Sequence, residues 1–193
     1  WNIDEEKIEK LINKKTKAII VVHFLGNPAN MIKIKKIAKK YNLFLIEDAA
    51  EAHGSEINLK RVGSFSDIAC FSFYANKTIT SGEGGMLVTN NKKYEKILKL
   101  YRNVGFTKKR FVHNVAANNF RYTAMQAAFC YSQFNRIDKT IKKKIEIAEK
   151  YKFYLKGIDE IKFQHSHKNY KNTFWMVGIL NFSKKINKIK LSK

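Results

Sequence analysis

Apolar positions along the chain switch between two periods. Ile34, Ile37, Ala38 and Tyr41 fall at i, i+3, i+4 and i+7, the spacing of one helix face. Lys17 to Val22 and Leu43 to Ile46 are instead short apolar runs, which predict buried strands. The loop between the first strand and the helix, His23 to Asn30, holds the only proline, Pro28. Strand, helix and strand in this order predict a βαβ unit: parallel strands with a right-handed crossover. The second run leads straight into Glu47-Asp48.

The same alternation continues. Ile8, Leu11 and Ile12 give a short helical stripe behind Asp4, a suitable N-cap. Asp67 to Phe73 reads as a strand, Ser81 to Gly85 as a glycine-rich turn, and Met86 to Thr89 as the next strand. Tyr94, Ile97, Leu98 and Tyr101 restore the helical period, and Lys108 to Asn118 is a polar loop. Thr123 to Gln126 has the T-x-x-Q form of a capping box and opens a helix through Phe134. Ile137, Ile141, Ile145 and Ala148 continue as a long lysine-rich helix, and Phe174 to Leu180 reads as a strand. The tail from Lys184 to Lys193 carries half of a helical pattern. No internal repeat is visible. The pattern predicts an α/β domain to about residue 135, then a long helix leading into a second, smaller unit.

Charge adds a question. The 193 residues carry a formal net charge of +22, which invites a polyanion partner. Arginine, the residue that forks onto guanine and phosphate, stands only at Arg61, Arg102, Arg110, Arg121 and Arg136, with no aromatic interleaving. The other basic residues are lysines spread along the chain, so the excess reads as solvated surface and no nucleic-acid partner is expected; a basic nucleic-acid-binding protein is the alternative of a different class. No apolar run approaches the roughly 20 residues of a membrane helix, and the amino end is polar and charged, without a secretory signal. Cys70 and Cys130 are far apart in apolar surroundings and predict two buried reduced thiols. These features predict a cytoplasmic protein with no membrane contact. The sequons at Asn76 and Asn181 therefore carry no weight, and none of the histidines has metal-ligand spacing.

Two segments carry candidate chemistry. Glu47-Asp48-Ala49-Ala50-Glu51-Ala52-His53-Gly54 follows a buried strand, and ligands of open α/β sheets bind beyond the carboxyl ends of strands. Lys77 follows another strand and precedes the turn Ser81-Gly82-Glu83-Gly84-Gly85. Its neighbours are hydroxyls, Asn and Gly rather than more lysine. A lysine held against a packed sheet can act as a nucleophile towards a carbonyl.

Taken together, E-D-x-A-x-A-x-G, then S-F-x-x-x-K ending at Lys77, then G-E-G-G resemble the DegT/DnrJ/EryC1/StrS family of sugar-nucleotide aminotransferases. Val22-His23, Gly26-Asn27-Pro28, Asn119-Phe120-Arg121 and Gln126-Ala127-Ala128 extend the likeness. Gly63 to Tyr74, Glu51 and Phe174-Trp175-Met176-Val177 are most similar to its perosamine-forming branch. The resemblance implies an α/β protein of the pyridoxal-phosphate-dependent transferase fold type I, aspartate-aminotransferase-like, with a three-layer α/β/α large domain and the start of a small α+β domain. Residues 1–135 would belong to the cofactor-binding large domain; 136–193 would be the connecting helix and the start of the small domain. The cofactor implied is pyridoxal 5'-phosphate.

By resemblance Lys77 holds the cofactor covalently and, once freed, moves a proton. Asp48 pairs with the pyridine nitrogen, Ala50 lies against the ring, Glu51 meets the phenolic oxygen, and Ser72 binds the phosphate. Asn119 reaches the phosphate of a neighbouring subunit, which implies a homodimer with shared sites. Glu83 is expected to hold the glycine turn, and His53 to be a satisfied packing histidine. The implied substrates are glutamate as amino donor and a nucleotide-linked 4-keto-6-deoxy sugar, GDP-4-keto-6-deoxymannose giving GDP-perosamine, for surface polysaccharide or O-antigen synthesis. A UDP or dTDP sugar is the alternative. Lys77 argues against the family's dehydratase branch, in which histidine replaces that lysine. Ala75 is a mild departure from the family pattern; Ala117-Asn118, where tyrosine and glycine are usual, and Tyr122, where methionine is usual, are departures that touch the loop of Asn119. The resemblance also implies that the chain is the middle half of a longer enzyme, with Trp1 a cut edge.

Overall fold

A computed structural model describes residues 1–107, 109 and 111–182. Part of the expected polar loop after Thr107, the helical pattern of the tail and Ser183 of the second sequon lie outside the described residues. In chain order the elements are α1 (Glu5–Leu11), β1 (Ala18–Val22), a short 3-10 turn (Phe24–Gly26), α2 (Met31–Lys40), β2 (Phe44–Asp48), β3 (Glu56–Ile57) and β4 (Lys60–Arg61). Then follow β5 (Ile68–Ser72), β6 (Gly85–Val88), α3 (Lys92–Arg102), α4 (Ala124–Phe134), α5 (Ile137–Tyr154), β7 (Ile161–Phe163), β8 (Tyr170–Lys171) and β9 (Ile179–Asn181).

The central sheet has the order β1-β2-β5-β6. β1, β2 and β5 are parallel, and β6 returns antiparallel to β5. The expected βαβ unit is therefore present, with α2 as its crossover. Side chains alternate across each strand. Ile19, Val21 and Leu45 point into the main core with Ile8 of α1 and Met31, Ile34, Ile37 and Ala38 of α2, and Glu47 and Ala69 are buried on the same face of the sheet. The opposite face presents Ile20, Val22, Phe44 and Leu87, all exposed; Tyr94 of α3 meets Phe44 edge-on there. The apolar runs of β1 and β2 thus form strands buried on one face among the described residues.

Several strand boundaries shift by a residue, and two differences from expectation are larger. β2 runs on through Glu47 and Asp48, because both continue the parallel ladder, paired with Val21 and Val22 on one side and Ala69 and Cys70 on the other. Phe174 to Leu180 is not one strand: only Ile179–Asn181 pairs, with β7. Phe174 sits at φ +47, a left-handed conformation that ends an extended run. Its N–H is taken by the Asn172 side chain instead of a ladder. Phe174 and Trp175 are nonetheless buried, whereas Met176, Ile179 and Leu180 are exposed. The pairs β3–β4, β3–β8 and β7–β9 are too short to announce themselves by periodicity.

Helix ends follow local chemistry. Asp4 caps α1 through the Glu6 N–H, and Thr123 with Gln126 forms the expected capping box of α4. α4 stops at Phe134 and α5 begins separately at Ile137.

One polar group is sealed into this apolar layer. Glu47 is fully buried, and its carboxylate accepts from the N–H groups of Gly63, Phe65 and Ser66, the Ser66 hydroxyl and His23 Nε2. His23 Nδ1 accepts from the Ala29 N–H at 3.1 Å, which leaves the ring proton on Nε2 to face Glu47. Burial alone would raise the Glu47 carboxyl; the bonds from His23, Gly63 and Ser66 outweigh it and hold the group below its ordinary range. Glu47→Gln replaces one acceptor oxygen by a donor that faces other donors. It is expected to lose about 3 kcal/mol of stability in urea unfolding at neutral pH; an unchanged midpoint would refute this role for the carboxylate.

Candidate active site

The carboxyl ends of β1, β2 and β5 lie side by side, since Val22 pairs with Asp48 and Asp48 with Cys70. The alternation that buries Glu47 turns Asp48 to the other face of the sheet. Cys70 and Ser72 share that face, two residues apart on β5. Asp48 Oδ1 accepts from the Ala50 N–H at 3.0 Å and lies 3.7 Å from the Cys70 thiol. No described residue donates to its Oδ2, so one oxygen remains available for a cationic ring nitrogen. Burial, with the adjacent Asp48 charge, pushes the Cys70 thiol up and keeps it protonated as a donor. Both cysteines are free, as expected, but Cys70 is half-buried and contacts the candidate site instead of merely packing.

Glu51, in the turn after β2, accepts from the Leu25 N–H at 2.8 Å and lies 3.8 Å from Lys77 Nζ. It therefore links the loop after β1 to the candidate nucleophile. The Lys77 side chain is only 10% exposed. Its ammonium stands 3.9 Å from the centre of the Trp175 ring, a cation–π contact. The Trp175 indole N–H donates to the carbonyl of Asn76, next to Lys77 in the chain. Gly26, at φ +88, lets these segments meet: a Cβ there would lie 2.9 Å from the Trp175 nitrogen.

The loop carrying Lys77 is held by α4. The Gln133 amide donates to the Thr80 carbonyl and its oxygen accepts from the Thr80 N–H, while Cys130 packs with Phe73 and Ile79. Ser72 Oγ accepts from the Tyr74 N–H, which leaves its own proton free for a phosphate oxygen. The glycine turn is tied by Glu83, but through its carbonyl, which accepts from the Ser81 hydroxyl and the Gln126 amide. Tyr122, where relatives were expected to carry methionine, contacts Ser81 through its hydroxyl and covers Gly84, leaving no room for a Cβ there.

Asp48, Ala50, Glu51, Ser72 and Lys77 are thus gathered at the strand ends. Asn119 is not: it is exposed, bridged to Asn103, and its side-chain oxygen accepts from the N–H and Nε of Arg121. Trp175, expected only as part of a branch motif and of a strand, stands at the candidate nucleophile. His53 packs between Phe71 and Phe73 as expected, but its ring nitrogens lack the well-formed hydrogen bonds of a satisfied histidine. The buried Thr78 hydroxyl beside Lys77 has no partner. Among the described residues no group of three or more His, Cys, Asp or Glu side chains could hold a metal, and no helix is long and apolar enough to cross a membrane.

Comparison with known proteins settles the kinship. The model of the DegT/DnrJ/EryC1/StrS aminotransferase family matches residues 1–192. The chain belongs to that family. It is 43% identical over 93% of its length to the GDP-perosamine synthase of Escherichia coli O157:H7, and 39% identical over 92% to that of Vibrio cholerae. It is also 39% identical over 78% to a UDP-4-amino-4,6-dideoxy-N-acetyl-beta-L-altrosamine transaminase of Helicobacter pylori. The chain spans about half the length of these curated relatives (49%, 48% and 41%). Among solved structures, the Helicobacter pylori aminotransferase PseC superposes with a TM-score of 0.91 at 35% identity, over 98% of this chain and 52% of that one. The fold is accordingly the α/β fold type I of pyridoxal-phosphate-dependent transferases.

His53 carries a pH consequence. Burial, and after it the charge of Lys77, pushes its ring from 6.5 down to about 4. The unfolded chain takes up this proton first as pH falls, so stability is full above about 6.5 and is lost progressively down to about 4, by roughly 3 kcal/mol. Urea unfolding at pH 7.5, 5.5 and 4.5 should show this loss, and His53→Leu should flatten the profile in that window. An equally steep profile in the variant would rule His53 out as its source.

Proposed function

We propose that this chain belongs to a pyridoxal-phosphate-dependent aminotransferase. It moves an amino group from glutamate to a nucleotide-linked 4-keto-6-deoxy sugar, GDP-4-keto-6-deoxymannose, to give GDP-perosamine for surface polysaccharide synthesis. The observation that carries the reading is the gathering of Asp48, Glu51, Ser72 and Lys77 at adjacent strand ends, in a chain of an aminotransferase family. The cofactor, when bound, supplies an aldehyde that takes up and returns the amino group and a ring that withdraws electrons from the reacting carbon.

The residues fit that group. The free oxygen of Asp48 suits a protonated ring nitrogen, and the Ser72 proton suits a phosphate oxygen. Ala50, whose N–H steadies Asp48, leaves space for a ring face. Glu51 would stand at the phenolic oxygen. Lys77 would hold the cofactor through its amine and, when free, carry a proton to and from the substrate carbon. The perosamine reading is supported by higher coverage of the chain in those relatives than in the UDP-sugar transaminase. A UDP-sugar acceptor is the alternative that a panel of acceptors distinguishes.

We read the working enzyme as a cytoplasmic homodimer in which Asn119 serves the partner's site. Its exposure away from Lys77, and the exposed apolar side chains Phe120, Met125 and Phe129 around the start of α4, support that assembly. Residues 1–135 and 136–193 are assigned to the large domain and to the connecting helix with the start of the small domain.

Borohydride treatment of the intact cofactor-loaded enzyme should fix the cofactor on the peptide containing Lys77, read by mass spectrometry. Lys77→Ala should lower transamination by roughly 10²–10⁴-fold or more. Fixation on a different lysine, or normal turnover by the variant, would overturn the assignment.

A further inference from the structure

Lys77 is approached by two side chains, Glu51 and Trp175. We propose that Trp175 is a positioning residue for Lys77: its indole face is the wall against which the free amine is parked. The inference rests on the reading of Lys77 as the cofactor lysine and goes beyond it by adding a residue from a distant segment. Three contacts carry it. The ammonium lies 3.9 Å from the ring centre, close for a cation–π pair. The indole N–H donates to the Asn76 carbonyl at 2.9 Å, so ring and lysine share one stretch of backbone as their reference. The ring is itself held, 9% exposed, with its backbone carbonyl taking a hydrogen bond from Lys144 at 3.1 Å and its backbone nitrogen set against Gly26.

In a ping-pong exchange Lys77 must leave the cofactor, wait nearby as a base, and return. A flexible four-carbon side chain freed into solvent would lose that position to rotamer entropy. Trp175 on one side and Glu51 on the other keep the amine within reach and shielded from water. Because the ring interacts with a cation through its face, phenylalanine can replace it in part and an aliphatic side chain cannot.

The test is amine-reactive labelling of the intact enzyme loaded with glutamate alone, which leaves Lys77 free, with each lysine quantified by mass spectrometry. Trp175→Leu is expected to speed labelling of Lys77 by roughly 2- to 30-fold. Trp175→Phe should speed it less, and Lys144, bonded to a backbone carbonyl that both variants retain, should not change. Trp175→Met replaces the leucine variant if that is insoluble. The proposal is overturned by an unchanged Lys77 rate in the aliphatic variant, by Lys77 and Lys144 rising together, or by equal effects of Phe and Leu. Borohydride fixation on the same wild-type preparation before glutamate identifies the cofactor lysine separately, so failure of that reading and failure of the Trp175 hold give different results.

Discussion

The buried carboxylate of Glu47 is the constraint on which the rest depends. A charge at the end of a sheet strand, sealed from water, persists only if donors surround it. Here His23 from the end of β1 and three backbone N–H groups from the loop before β5 do so. One side chain thereby fixes the ends of three parallel strands relative to one another. Asp48 follows Glu47 in an extended strand and so must face the other way, with Cys70 and Ser72 beside it. The structural carboxylate and the candidate cofactor carboxylate are neighbours whose roles are separated by the strand's two-residue period.

A second layer of control lies in the loops. Glu51 ties the loop after β1 to Lys77, Gln133 clasps the backbone at Thr80, and Trp175 reaches Asn76 from a segment about a hundred residues away. These contacts are polar anchors on backbone groups, so they set position more than they add burial. The Lys77 amine is consequently held between a carboxylate and an indole face while most other lysines are solvated. Its nearby charge is also felt by His53, a buried ring that stays neutral between two phenylalanines.

Much of this was legible from residue order. The βαβ unit followed from an i, i+3, i+4, i+7 stripe between two apolar runs, and the capping box at Thr123 followed from spacing alone. These are local properties: helix and strand periods and caps involve residues a few positions apart. Asp48, Glu51, Ser72 and Lys77 could be named as candidates from residue order, because their motifs are contiguous with the strands that place them. The net charge of +22 singles out no site; Lys77 is distinguished from the other lysines by its neighbours.

What the order of residues could not decide is which side chains meet across long separations. Phe174 to Leu180 has the composition of a strand, and nothing local shows that Phe174 adopts a left-handed φ or that Trp175 turns onto Lys77. His53 reads as an ordinary packing histidine until the fold leaves its nitrogens without well-formed hydrogen bonds. By itself the sequence determined the longer helices, the strands of the βαβ unit and the family, since these depend on period, adjacency and contiguous motifs. The tertiary structure alone decided that Glu47 is the buried anchor and that Trp175 walls the site, because burial and cation–π contact are properties of three-dimensional neighbours.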